Sequence, residues 1–345
     1  MTTANVDAIY PLTPIQEGML YHALEHIGSG VYLGQMQIGL RGALDLPRLQ
    51  NAWDVVIARH DLLRTLFTWE KRQRPLQVVR KHVTAPWHIE DWRHLGQADQ
   101  DAQLDAFLAA DRARDFDLSR APLMRFALFR LGDETHRLVW TAHHLILDGW
   151  STGLVVRDVF ATLAGQPAMA AAAPFREHVS WLAEQDLGRA ERYWREAFSG
   201  LSVPTPLDLG PAASIGSLPP GRRHLRHESR LTAELSVALS RFAQSQRVTL
   251  NTLFQAAWAL VLSSYSQRDD VVFGVTLSGR PYSLPDIERR VGMFITTLPL
   301  RVPVQADQSV GDWLRDLQAR ALRLTEMEYS PPAKIRGWTD TTGPQ

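Results

Sequence analysis

The sequence predicts an α+β protein built as two lobes, and three observations carry that expectation. Segments with the period-two alternation of strands are interleaved, from one end of the chain to the other, with segments whose apolar residues fall three and four apart. The 345 residues exceed what a single hydrophobic core comfortably holds. A break near the middle, Gly165, Gln166, Pro167 and an alanine tract, interrupts both periodicities and divides the chain into lobes 1–172 and 173–345.

Each element has its own signature. Thr13, Pro14 and Gln16 supply a hydroxyl cap, a proline for the first helical turn and an amide able to reach back to the cap, so a helix starts there with Ile15, Met19 and Leu20 on its buried side. A strand over 31–40 follows, then a helix carrying Leu46, Leu49, Trp53, Val56 and Ile57 at helical spacing. Shorter strands are expected over 63–67 and 76–79, and a helix over 102–113. The runs 123–129 and 137–144, separated by Gly132 and Asp133, read as an antiparallel hairpin. Helices are expected over 150–163, 175–185 and 190–198, and the Pro/Gly/Ser-rich stretch 200–221 reads as a linker. Beyond it the pattern predicts a strand over 222–229, helices over 233–243 and 250–265, strands over 271–277 and 294–302, and a helix over 310–327. The helix over 250–265 has the clearest stripe, with Leu250, Leu253, Phe254, Ala257, Trp258, Val261, Leu262 and Tyr265 along it.

Composition removes several classes of function. Lys plus Arg and Asp plus Glu both total 37, so no net field draws a polyanion and nucleic acid is not an expected partner. With 0 cysteines the chain has no disulfide, no thiolate metal site and no cysteine nucleophile, and any thioester chemistry has its sulfur on a partner. The opening MTTANVDAIYPLTP lacks the basic and apolar regions of a leader, and the most apolar run, 253–262, is too short to span a bilayer, so a cytoplasmic location and no membrane partner are expected.

The segment 138–151, LVWTAHHLILDGWS, carries the chemistry. If the strand persists through the histidines, Leu138, Trp140, Ala142 and His144 share one face while Val139, Thr141 and His143 share the other. The two imidazoles then point apart, which argues against one metal held by both, and no metal is expected. A histidine at a strand end, followed by Asp148, Gly149 and a helix start, suits a base placed beside backbone N–H groups able to hold an oxyanion. The same residues also suit a buried histidine bonded to backbone, with Asp148 or Ser151 as a plain helix cap. Spacing alone does not say which histidine is functional.

HHLILDGWS matches, at His143, His144, Asp148 and Gly149, the HHxxxDG motif of the condensation domains of nonribosomal peptide synthesis. YPLTPIQEGMLYH at 10–22 and RHDLLRTLF at 59–67 resemble that family's first two motifs; FREHVSW at 175–181 resembles the fourth loosely, and VGMFITTLPLRV at 291–302 the fifth closely. GVTLSGRP at 274–281 is similar to the loop flooring the family's active-site tunnel. The resemblance covers essentially the whole chain. It implies two lobes like chloramphenicol acetyltransferase in an open V, with carrier proteins docking at both mouths of a tunnel. It also implies strands and a seventh motif beyond the MEYSPPAKIRGW stretch that this sequence does not carry, so the second lobe is expected to be incomplete.

The implied function is amide formation between a donor acyl or peptidyl thioester and the amine of an acceptor aminoacyl thioester. Both ride on phosphopantetheine arms of donor and acceptor peptidyl carrier proteins, with adenylation and carrier domains in the same or a neighbouring chain, and no cofactor is held by the chain itself. By the resemblance His144 and Gly149 are catalytic. His144 either relays the amine proton or positions the amine, and Gly149 either makes room for the acceptor arm or is a plain turn glycine. His143, Asp148 and Arg64 support the site, Asp148 pairing with Arg64; Trp150, Ser151 and Ser278 line the tunnel. A catalytically silent module that recruits a partner protein, an ester-forming enzyme and an epimerisation relative are the alternatives.

Overall fold

The computed structural model describes residues 5–166, 171–201, 205 and 228–339. The Thr13 signature acts as anticipated at the start of α1 (Pro14–Glu25): the Thr13 hydroxyl accepts from the Gln16 N–H, and the Thr13 N–H donates to the Gln16 side chain at 3.0 Å. The strand β1 (Val6–Pro11) just before it, missed in the sequence, pairs with β4 (Leu76–Arg80), which in turn pairs with β3 (Thr65–Thr68). Of the expected strand over 63–67, only the end is extended, because Asp61–Arg64 form a 3-10 turn.

A four-stranded sheet runs in the order β2 (Leu33–Arg41), β7 (Thr135–His143), β6 (Met124–Arg130), β5 (Trp87–Asp91). The β6–β7 hairpin is as expected, and β5, missed in the sequence, joins β6 in parallel. Period two along β6 and β7 sorts the side chains into two layers. Phe126 and Trp140 face α2 (Leu46–Arg59), where Trp53 lies 4.4 Å and 4.9 Å from their ring centres. Phe129 and Val139 face the other way and pack with Trp92 and with Phe107 of α3 (Gln97–Arg112). Each such buried side chain contributes roughly 1.5–3 kcal/mol relative to exposure. The helix α4 (Gly149–Leu163) leaves the sheet from the end of β7 and packs on α2.

The remaining elements are α5 (Arg176–Ala183), α6 (Leu187–Ala197), α7 (Ala233–Gln246), α8 (Leu250–Ser266), β8 (Asp270–Leu277), β9 (Thr296–Pro303), α9 (Val310–Thr325) and α10 (Pro332–Trp338). The antiparallel pair β8–β9 is in register from Asp270 opposite Pro303 to Leu277 opposite Thr296. Residues 222–227 of the strand expected over 222–229, and most of the linker 200–221, lie outside the described residues, and 228–229 are not in a strand.

The buried side of α8 is Thr252, Gln255, Ala256, Ala259 and Leu262, so of the apolar stripe Leu262 is buried, whereas Phe254 and Trp258 are 57% and 48% exposed and Val261 and Tyr265 are exposed with them. Small residues let α8 approach α9, α7 and β8 closely, and the bulky stripe faces outward.

By contact the chain forms two compact units, Met1–Gln185 with Arg280–Ile295, and Asp186–Gly279 with Thr296–Gln345. Contacts thus group α5 with the first unit, whereas the alanine tract had suggested a division between 172 and 173. Among the described residues no helix is long and apolar enough to cross a membrane.

Candidate functional site

The site is built at the end of β7. Register on β2 sets Gly34 opposite Ala142 and Met36 opposite Trp140. His144 continues that face: a methyl placed on Gly34 would lie 3.6 Å from His144 Nε2. The His144 backbone N–H donates to the Tyr32 carbonyl at 2.8 Å, and its Nδ1 sits 3.3 Å from the Leu147 carbonyl. A carbonyl only accepts, so in the neutral ring this contact assigns the proton to Nδ1 and the lone pair to Nε2. His144 and Gly34 line a cavity of about 180 Å³.

His143 has the opposite tautomer. Its Nδ1 accepts from the Leu145 N–H at 3.1 Å, so Nε2 carries the proton. Burial, with only 3% of the residue exposed, lowers its pKa to about 4, and the neighbouring His144 adds to the shift. It is neutral at pH 7 and braces the turn. Gln16 holds the same turn from α1, its amide Nε2 donating to the Leu145 carbonyl at 2.9 Å.

Asp148 caps α4: its carboxylate accepts from the Ser151 N–H at 2.7 Å. Exposed Gly149 and Trp150 begin the helix, where N–H groups have no intrahelical acceptor. Gly149 has no positive φ, and a Cβ there would meet no atom within 4 Å. Among the described residues neither a positive φ nor a close contact requires glycine at this position, which speaks against a plain turn glycine.

The partner of Asp148 is a correction. Arg64 belongs to the 3-10 turn Asp61–Arg64, where its guanidinium binds the Arg80 carbonyl and approaches Asp7 at 3.4 Å. The cation on Asp148 is Arg280, whose Nη2 lies 3.3 Å and 3.4 Å from the two carboxylate oxygens and 2.9 Å from Ser151 Oγ. Nη1 of Arg280 donates to the carbonyls of Ile287 and Arg290 at 2.7 Å and 2.9 Å, and the guanidinium lies 4.2 Å over the Phe294 ring. Burial lowers the Arg280 pKa and Asp148 opposes that shift.

Ser151 is corrected as well. It is 0% exposed, and its hydroxyl bonds Arg280 and both the N–H and the carbonyl of Gly292, so it neither caps α4 nor lines a path for substrate. A Cβ on Gly292 would stand 2.4 Å from the Phe175 ring, so only glycine lets this strand of backbone pass. Phe294 completes the network by donating its N–H to Asp148 at 3.2 Å. Trp150 is about half exposed, its indole N–H donating to the Glu288 carbonyl at 3.0 Å. Ser278 is an exposed residue of the second unit, two positions before Arg280.

The structure therefore brings His143, His144, Asp148, Gly149 and Trp150 together and leaves Arg64 elsewhere in the first unit. Arg280, Gly292, Phe294 and the turn-holding role of Gln16 were missed. The available signal was the guanidinium of SGRP, set among apolar residues, which needs a buried carboxylate. Among the described residues no group of three or more His, Asp or Glu side chains is placed to hold a metal ion.

Comparison with known proteins adds the family. The Condensation domain model matches residues 6–344. The chain is 43% identical over 344 residues to a linear gramicidin synthase of Brevibacillus parabrevis, covering 98% of this chain and 4% of that protein. It is 38% identical over 384 residues to chondramide synthase cmdD of Chondromyces crocatus, covering 98% of this chain and 10% of that protein. The chain thus spans a small fraction of the curated relatives it matches. Among solved structures it superposes on the X-domain from teicoplanin biosynthesis with a TM-score of 0.80 at 26% identity, covering 99% of this chain and 75% of that one. It superposes on the first condensation domain of the calcium-dependent antibiotic synthetase, in complex with a substrate analogue, with a TM-score of 0.77 at 21% identity, covering 99% and 80%. The mixed α/β architecture is that of these two solved structures, and the chain belongs to the condensation-domain family of nonribosomal peptide synthetases.

Proposed function

We propose that this chain forms an amide bond between a donor acyl or peptidyl thioester and the amine of an acceptor aminoacyl thioester, each delivered on the phosphopantetheine arm of a carrier protein. The observation that carries the reading is that His144 lines a cavity with its Nδ1 3.3 Å from the Leu147 carbonyl, which leaves Nε2 of the neutral ring as the acceptor. The acceptor amine attacks the donor carbonyl, its proton passes to or is oriented by Nε2, the C–S bond breaks, and the thiol leaves with a proton. A model α-amino group titrates around 7.7–8.0, so a moderate base suffices. A positioned general base contributes about 10²–10⁴ in rate, and tethering both substrates supplies effective concentration.

Gly149 belongs to the same reading: a glycine that no positive φ or close contact among the described residues requires leaves room for a substrate arm, and its N–H at the start of α4 faces developing negative charge. Trp150 flanks the substrates, and His143, Asp148 and Arg280 hold the turn. Donor and acceptor peptidyl carrier proteins, adenylation and carrier domains in the same or a neighbouring chain, and a cytoplasmic location complete the proposal. The test is to mix the chain with both loaded carriers and weigh the acceptor carrier by mass spectrometry. A mass gain equal to the donor acyl group less one hydrogen, with an amide in the product released from the carrier, supports amide formation. An ester in the released product favours ester formation, a released residue of inverted stereochemistry without a gain favours epimerisation, and no change favours a silent module that binds a partner.

A further inference from the structure

The face that carries His144 changes abruptly in size. Residues opposite one another on paired strands share a face and touch. Along β2–β7 the pair Gly34–Ala142 is followed by Met36–Trp140, two of the smallest side chains beside two of the largest. The step leaves a hollow walled by Met36 and Trp140 and bordered by Leu147 of the turn and Thr152 of α4. Its volume, about 180 Å³, exceeds the roughly 150 Å³ that admits benzene. It falls below the roughly 300 Å³ at which pockets begin to hold whole drug-sized ligands. The hollow is the size of one side chain.

Gly34 is not required by its own strand. Its φ is not positive, and a Cβ would make ordinary contacts, 3.6 Å to His144 Nε2 and 3.7 Å to the Ala142 carbonyl. Glycine inside a strand weakens it. What glycine provides here is open space leading from Nε2 into the hollow.

We propose that this hollow is a side-chain subsite: it receives an apolar side chain, from leucine to benzyl in size, of the aminoacyl thioester unit whose reacting atoms lie at His144 Nε2. This rests on His144 as the reacting centre. Either the donor residue or the acceptor residue can supply that side chain, and the experiment separates the two.

The probes are N-acetylcysteamine thioesters of glycine, leucine and phenylalanine, N-acetylated to mimic the donor or with a free amine to mimic the acceptor. They are titrated against the full chain, and binding is read from the Met36 methyl carbon by NMR. In one of the two series leucine and phenylalanine bind about tenfold or more tightly than glycine, the effect of burying such a side chain, and that series names the source. Gly34→Val abolishes this preference. Met36→Ala, which enlarges the hollow and guards against a misfolded Gly34 variant, shifts the preference towards phenylalanine, with binding followed by tryptophan fluorescence. Equal binding of glycine and leucine in both series, no saturable binding, or a folded Gly34→Val protein that keeps the preference would overturn the proposal. Because binding is read without turnover, a chain that prefers leucine yet forms no amide defeats the amide-forming reading and leaves the subsite standing.

Discussion

Asp148 is 1% exposed and accepts from Arg280, Ser151 and Phe294, so its charge is viable only inside that network. Removing one partner of a buried pair costs about 3–5 kcal/mol, because the other charge stays buried. Arg280→Met is expected to destabilise by that order in urea denaturation. A double-mutant cycle should couple Asp148 to Arg280 by about 1 kcal/mol or more, while Asp148 and Arg64 add within ~0.5 kcal/mol; coupling to Arg64 would contradict the assignment. His143, at about 4, and His178, at about 3, are both held neutral by burial. Since the unfolded chain titrates them near 6.5 and binds more protons below that, stability is full above about 6.5 and falls as pH drops towards 4. Each contributes a loss on the order of 2 kcal/mol between pH 7 and pH 5. Denaturation curves of the native chain and of His178→Gln at both pH values check this, the variant showing the shallower dependence. At this scale the motif residues were legible because their spacing is local. Arg280 was not, because its pairing spans 132 residues and no local spacing encodes it.

Helices and strands with long periodic patterns were placed correctly, and the capping box of α1 was readable to the residue. The strands β1 and β5 were missed because they are short and gain their identity from pairing with β4 and β6, a long-range property. Periodicity places the apolar stripe of α8 but does not say which face is buried, and close packing selected Thr252, Ala256 and Ala259. The consequence is measurable: Phe254→Ser should change stability within ~0.5 kcal/mol, as an exposed substitution does. Ala259→Leu should cost about 1–3 kcal/mol by overpacking. A large loss for Phe254→Ser in urea denaturation would place that residue in the core.

Across the whole molecule the residues that serve one turn come from distant parts of the chain. Segment 280–295 follows β8 of the second unit in sequence, yet groups by contact with the first, where Arg280 and Gly292 fasten the turn after His144. Family membership, the mixed α/β fold and the histidine at the strand end were readable from ordered motifs, while the fastening of that histidine needed three dimensions. The turn thereby presents one nitrogen of the neutral imidazole as an acceptor. The most direct measurement is single-turnover amide formation between two loaded carriers, comparing the native chain with a folded His144→Ala variant. The expected result is a rate about 10²–10⁴ lower with carrier binding retained; an undiminished rate would remove His144 from the reaction.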